Sequence, residues 1–382
     1  MINTNTEEKI IEVKGFSLSS RYGDGNVFGQ PKGVKSLGFV EITSESGKKG
    51  FGETYSGIYS PQLVNPIVEF LSSYLVGKKL DSIDFIDNMN NIPFISNSGI
   101  IQSVIAAIEL AILDLIGKIN EKPVFKLFEN LNPKNEIETY YSGGSVIFSP
   151  DEIEKDIETM LKSNFNSFKM RIGLKSWNDD LKRVARAFSI IQKEKIMLDA
   201  IMGTLKSKWS IDVAKRRIKD LEKFNIYWLE EPLCPTKLDD YKDLCSFSNI
   251  PIAMGEAYSG LMHFENILSN ECSDIVQLDA THSMSFRNLL AFSNKTIKSK
   301  ATHVWGSSLS FVANGTLGIL SKNINFHEYP SVEFEISKDI MLDSPKIING
   351  KYIISETPGF GVNIDDKIKN KFNFIKDSGY KL

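Results

Sequence analysis

Seven side chains that could do chemistry, Lys169, Asp199, Glu230, Glu256, Asp279, His303 and Glu328, stand at the ends of runs that otherwise read as core. They fall 30, 31, 26, 23, 24 and 25 residues apart. One strand plus one crossover helix takes roughly 30 residues, so each side chain holds the same place in a repeating unit. Independent surface charges would explain one or two of them, but poorly seven in phase. Asp199, Glu230 and Glu256 end consecutive runs, and three crowded carboxylates repel unless a cation lies between them. With no cysteine or histidine among them, the set favours a hard ion, Mg²⁺ first. The next two runs put Asp279 beside His303, where a carboxylate orients the ring and raises its proton affinity. A lone histidine is as readily a core hydrogen-bonder; the register beside Asp279 is what favours proton transfer.

"FKMRIG", Phe168 to Gly173, opens the series. Period-2 alternation puts Lys169 and Arg171 on one face and Phe168, Met170 and Ile172 on the other. Two cations, a metal and a proton-transfer pair suit a carboxylate substrate that loses its α proton, since metal and cations would stabilise the dianion formed. Glu328, on the last run, is placed to bond or polarise a substrate oxygen. Its neighbour His327 faces the other way.

The elements that must position these residues are eight strand candidates: "ETYYSGG", "SFKMRIG", "KIMLDA", "IYWLEEP", "PIAMGEA", "DIVQLDA", "KATHV" and "NINFHEYP". Helix-like segments separate most of them, which predicts a parallel barrel with its chemistry at the C-terminal rim. Before them lies an α+β module with strands "FVEIT" and "GKKGFGETY" and helices from Pro61 to Gly77 and Ile101 to Asn120. The stretch "NLNPKNEIE" reads as a linker, giving boundaries of 1–134 for the first module, 135–330 for the barrel and 331–382 for a tail returning to the first module.

The 382 residues carry a net charge of −3, 42% hydrophobic and 24% charged residues, an ordinary balance with no basic excess to attract nucleic acid or anionic lipid. Cys234, Cys245 and Cys272 show no paired framework, and "MINTNTEEKIIEVK" has no apolar leader; both predict a cytoplasmic protein. The apolar segment from Ile101 is interrupted by Glu109 and Asp114, placed on one flank, which predicts an amphipathic helix rather than a membrane span.

These motifs resemble the enolase superfamily, specifically the mandelate racemase/muconate lactonizing enzyme group, over nearly the whole chain. "SFKMRIG" looks like that group's Lys-x-Lys strand, and "LDA", "WLEEP" and "MGEA" like its three metal-ligand strands. "QLDA" and "THVWGS" look like its Asp and His strands, "HEYP" its final glutamate strand and "PGFGVNID" its C-terminal signature. The resemblance implies a (β/α)₇β TIM-like barrel with an α+β capping domain formed by the N-terminal part and the tail. It also implies Mg²⁺-assisted abstraction of the proton α to a carboxylate, and a dimer or octamer.

Cap loops near "SSRYGDGNVFGQ" and "TYSGIYSPQ" match those that close over substrate, making Arg21, Tyr22, Tyr55 and Tyr59 binding candidates. Arg171 departs from the motif, because a guanidinium is a poor proton acceptor where a lysine would serve as a base. Two-base racemisation thus loses a base, leaving His303 as single base and acid for dehydration of an acid sugar to a 2-keto-3-deoxy acid. Cycloisomerisation of a sugar-acid lactone is the alternative, then racemisation. Ile201 and His282 depart from the pattern as well, and a metabolite-binding protein without turnover is the non-enzymatic alternative.

Overall fold

The computed structural model describes residues 2, 4–23, 33–191, 193 and 195–379; residues 24–32 of the first cap loop lie outside the described residues. Three antiparallel strands come first, β1 (Ile10–Arg21), β2 (Val34–Ser44) and β3 (Lys49–Thr54). Eight strands then follow in order: β4 (Glu136–Ser142), β5 (Ser167–Arg171), β6 (Lys195–Asp199), β7 (Ile226–Glu230), β8 (Ile252–Met254), β9 (Ile275–Leu278), β10 (Ser299–Thr302) and β11 (Ile324–Pro330). Each pairs in parallel with the next, and β11 pairs back onto β4, closing a barrel. The eight strand candidates are these eight strands.

Alternation along the strands sorts the barrel into layers. Tyr140, Met197, Trp228, Ala253, Ile275, Ala301 and Phe326 fill the interior as one cluster. The polar strand-end residues follow two positions further along several of the same strands, so they sit on a packed floor. Phe168 and Met170 face outward into the larger core shared with the helices. Those helices start where capping chemistry dictates: Ser149 and Glu152 form a reciprocal box at Pro150–Lys162, and Ser176 and Ser210 accept the first-turn N–H groups of Trp177–Ile190 and Ile211–Leu221.

The helix Gly99–Ile119 corrects one expectation. It is not amphipathic, for every residue from Gln102 to Gly117 is buried, because the cap sheet packs on one side and the barrel helices on the other. Its two acids face different partners: Glu109 meets Arg287 Nε at 2.6 Å, whereas Asp114 accepts from Phe51 N, Phe360 N and Lys118. By length and composition it could cross a membrane, yet 83% of its apolar window is buried inside the protein.

Beyond β11 the chain divides. The hairpin β12 (Lys346–Ile348) and β13 (Lys351–Ile353) extends β4 on its outer edge. Further on, Phe372 O accepts from Ser19 N and Ser378 O from Ser36 N, so the end of the tail lies on the cap sheet.

Candidate active site

At the rim the Lys169 ammonium is buried amid acids, 2.9 Å from Glu230 Oε1, 2.9 Å from Glu328 Oε1 and 3.7 Å from Asp199 Oδ2. Desolvation opposes its charge, but Glu230 and Glu328 outweigh it and hold its pKa well above the usual lysine value. Arg171 is turned differently. It donates to Gly143 O at 3.0 Å and Ser142 Oγ at 3.2 Å, and Nε lies 3.9 Å from Asp199 Oδ2.

Burial works against ionisation of Glu328, yet Lys169 foremost, then His303 and Arg171, hold it down to about 2. It is therefore a carboxylate. It accepts the Val304 N–H at 2.8 Å, which fixes the loop after β10. A protonated, polarising Glu328 is not what this environment favours.

Asp279 and His303 form the expected pair: Nδ1 lies 2.9 Å from Asp279 Oδ2, and Nε2 faces Glu256 Oε2 at 3.5 Å. Asp279 is fixed from behind, because Oδ1 accepts from Thr281 N, Thr281 Oγ1 and Asn314 Nδ2 at 2.8, 2.7 and 3.0 Å. Burial alone would lower His303, but Glu256 and Asp279 raise it to about 9. Glu256 in turn is pushed up to about 8, first by burial and then by Glu230 and Asp199, against the pull of His303. One proton is contested between the two, and Asp279 places it on the imidazole.

Asp199 is also pushed up to about 6, by burial and then by Glu230. Asp199 and Glu230 are thus buried acids and Glu256 a half-buried one, set near two permanent cations, a donor set that fits one more hard positive charge. Their oxygens do not already converge into a metal-ligating group among the described residues; the donor chemistry, not a preformed cage, carries the fit.

Two cavities open above the rim. One of about 190 Å³ is lined by Tyr22, Lys169, Arg171, Asp199, His303 and Trp305. The other, about 340 Å³, holds Tyr55, Tyr59 and His282, and Thr204 and Glu256 line both. Tyr55 brings the cap onto the dyad, its ring edge-on to His303 at 5.4 Å and near His282 and Trp305. Arg21 is not brought in: it lies on the opposite side of β1 from Tyr22 and lines a separate surface hollow with Glu333 and Lys338.

His327 does face away, with Nδ1 2.7 Å from Thr302 Oγ1 and its ring against Phe311. Ile201 is held at a cost, since its φ of 47° is left-handed for a β-branched residue. The turn lets the Ile201 N–H donate to Asp199 Oδ1 at 2.8 Å.

Sequence reasoning missed Glu53 and Asn314. Glu53, on β3, accepts from Ser307 N at 2.9 Å, from the Ser307 hydroxyl and from Ser310 N at 3.1 Å, fastening the loop that carries Trp305 to the cap. An acid among the apolar residues of "GFGET" and an asparagine within "SFVANGTLGIL" were the available signals.

A closed parallel barrel with acids, a lysine and a His–Asp pair at its C-terminal rim, under an α+β cap, defines a capped TIM-barrel protein with a candidate active site at the rim. The chain belongs to the enolase superfamily, in the mandelate racemase/muconate lactonizing enzyme group. Residues 31–128 match the N-terminal domain of mandelate racemase/muconate lactonizing enzyme, and residues 152–368 match the enolase C-terminal domain-like family.

The chain is 25% identical over 348 residues to an arabinonate dehydratase of Saccharolobus solfataricus, covering 87% of this chain and 89% of that one. A D-galactonate dehydratase of Cronobacter sakazakii is 26% identical over 346 residues, covering 86% and 89%. Among solved structures, the 3,6-anhydro-D-galactonate cycloisomerase of Zobellia galactanivorans superposes with a TM-score of 0.82 at 24% identity, covering 95% and 99%. That last likeness is one of fold.

Proposed function

We propose that this enzyme removes the proton α to the carboxylate of an acid sugar and expels the β-hydroxyl, giving a 2-keto-3-deoxy acid. The observation that carries the reading is the asymmetry of the site: an Asp279-held imidazole on one side and, on the other, an arginine pinned by Gly143 and Ser142 where a second base would have to stand. The names of the two dehydratase relatives support an acid-sugar substrate.

Asp199, Glu230 and Glu256 would hold Mg²⁺, which when bound supplies Lewis-acid stabilisation of the charge developing on the substrate carboxylate. Lys169 and Arg171 bind that carboxylate and stabilise the same charge. As a ligand Glu256 would pull less on His303; the neutral ring accepts the α proton at Nε2 while Asp279 retains Nδ1–H. Collapse of the resulting dianion breaks the bond to the β oxygen, and the imidazolium returns its proton to the departing hydroxide, releasing water. The enol formed then tautomerises to the keto acid. The three free cysteines accord with a reducing cytoplasm.

Cycloisomerisation of a sugar-acid lactone is the second reading, since it starts from the same removal of an α proton beside the Asp279–His303 pair. Incubating the protein with Mg²⁺ and a sugar-acid library separates the two. A semicarbazide-trapped keto acid supports dehydration, and lactone consumed without net loss of water supports cycloisomerisation. Lack of any turnover across the library would refute both and favour a binding protein.

A further inference from the structure

The cavity of about 340 Å³ beside the rim has a lining that the proposed chemistry does not use. Glu231, the second acid of "LEEP", takes a left-handed turn with φ 39° that carries its side chain out of the strand alternation and into this cavity. Its side chain is 1% exposed, and Oε1 has no hydrogen-bond partner. Gly203 makes room for it, since a Cβ there would lie 2.4 Å from Glu231 Oε2. His282 adds an Nδ1 without a partner, and burial lowers its pKa to about 4, so the ring is neutral. Tyr55 and Tyr59 close the cavity from the cap with hydroxyls 3.3 Å apart.

This lining is rich in hydroxyls and acids and, among its described residues, holds no lysine or arginine. The cations stand in the neighbouring cavity, with Lys169 and Arg171, and the two spaces meet at Thr204 and Glu256. A second carboxylate in the larger cavity would meet Glu231 and no lysine or arginine, while a sugar hydroxyl would find two buried polar atoms lacking partners, Glu231 Oε1 and His282 Nδ1.

We infer that the larger cavity is a subsite for the uncharged polyhydroxyl tail of the substrate, with Glu231 and His282 as its hydrogen-bonding anchors, so the enzyme takes sugar monoacids and rejects diacids. The inference rests on the α-proton chemistry proposed above and adds the substrate class.

The test uses stereochemically matched pairs of aldonic and aldaric acids, galactonate with galactarate among them, on the full chain with Mg²⁺. Both kcat/KM for keto-acid formation and affinity by calorimetry are measured. The expected result is a preference for the monoacid of each productive pair by at least about tenfold, since selectivity here rests on an unpaired buried charge. Ile100→Arg, at the cavity's exposed edge, should narrow that preference by supplying a cation, and His282→Lys should act in the same direction.

Equal or better use of diacids by the wild type, or no change in preference in either variant, overturns the subsite. If no acid turns over, the reaction proposal falls, and binding alone then decides the subsite: monoacid selectivity upholds it, while equal or absent binding of both acids overturns it.

Discussion

Asp279→Asn should cost far more activity than stability. Oδ1 of Asp279 accepts three donors, from Thr281 N, Thr281 Oγ1 and Asn314 Nδ2, and only an oxygen satisfies them. The asparagine amide must therefore present its NH₂ to His303, 2.9 Å away in the native pair. Nδ1 is then forced to accept, which moves the ring proton to Nε2, the atom that has to take the substrate proton. The imidazolium also loses its stabilising carboxylate. A wrong tautomer and a lost counter-charge together predict a fall in kcat of about 10³–10⁴, or roughly 4–5 kcal/mol of barrier. The folded state loses one charge-assisted bond, about 1.5–3 kcal/mol. The assay is α-proton exchange in deuterium oxide, alongside urea unfolding. A folded variant that keeps kcat within tenfold would refute the tautomer argument.

Three more predictions follow from particular residues. Glu53 is pushed up to about 7, by burial first and then by Asp279, against the bonds from Ser307 and Ser310. A raised acid favours the fold when protonated, so its contribution is present below pH 4.5 and lost as pH rises from 4.5 to 7, by up to about 3 kcal/mol. Urea unfolding across that window should show the slope, and Glu53→Gln should flatten it; an unchanged slope would contradict the assignment. Ile201→Asn should relieve left-handed strain and raise unfolding free energy by about 1 kcal/mol, and a loss of stability would argue against strain. Arg171→Lys gives up the bonds to Gly143 and Ser142 and puts a titratable amine opposite His303. Chiral analysis of recovered substrate should then show inversion at the α carbon, and its absence would remove Arg171 as the reason for one-base chemistry.

The barrel was legible because two periods coincide in the sequence. Alternation over two residues set Lys169 inward against Phe168 and Met170, and the unit of about 25–30 residues put Asp199, Glu230, Asp279 and His303 at one rim. Residues placed by turns escaped that logic. Glu231 reaches the second cavity through a positive φ that strand alternation does not describe, and Arg21 is turned away although Tyr22 beside it faces the rim. Glu53 acts through the N-terminus of a helix more than two hundred residues distant, a contact set by cap docking alone. The burial of the Gly99–Ile119 helix is hidden for a related reason: Glu109 and Asp114 suggest a wet face, but Glu109 is paired with Arg287 from across the fold, and Asp114 is paired with Lys118 one turn along the same helix and bonded by the distant Phe51 and Phe360 N–H groups.

The central claim, that His303 alone moves the α proton, is tested most directly by His303→Asn in deuterium oxide with Mg²⁺ and the best sugar acid. The account predicts that the wild type forms keto acid and that the variant, while still binding the acid, neither incorporates deuterium at the α carbon nor releases water. Exchange by the variant at the wild-type rate would contradict it.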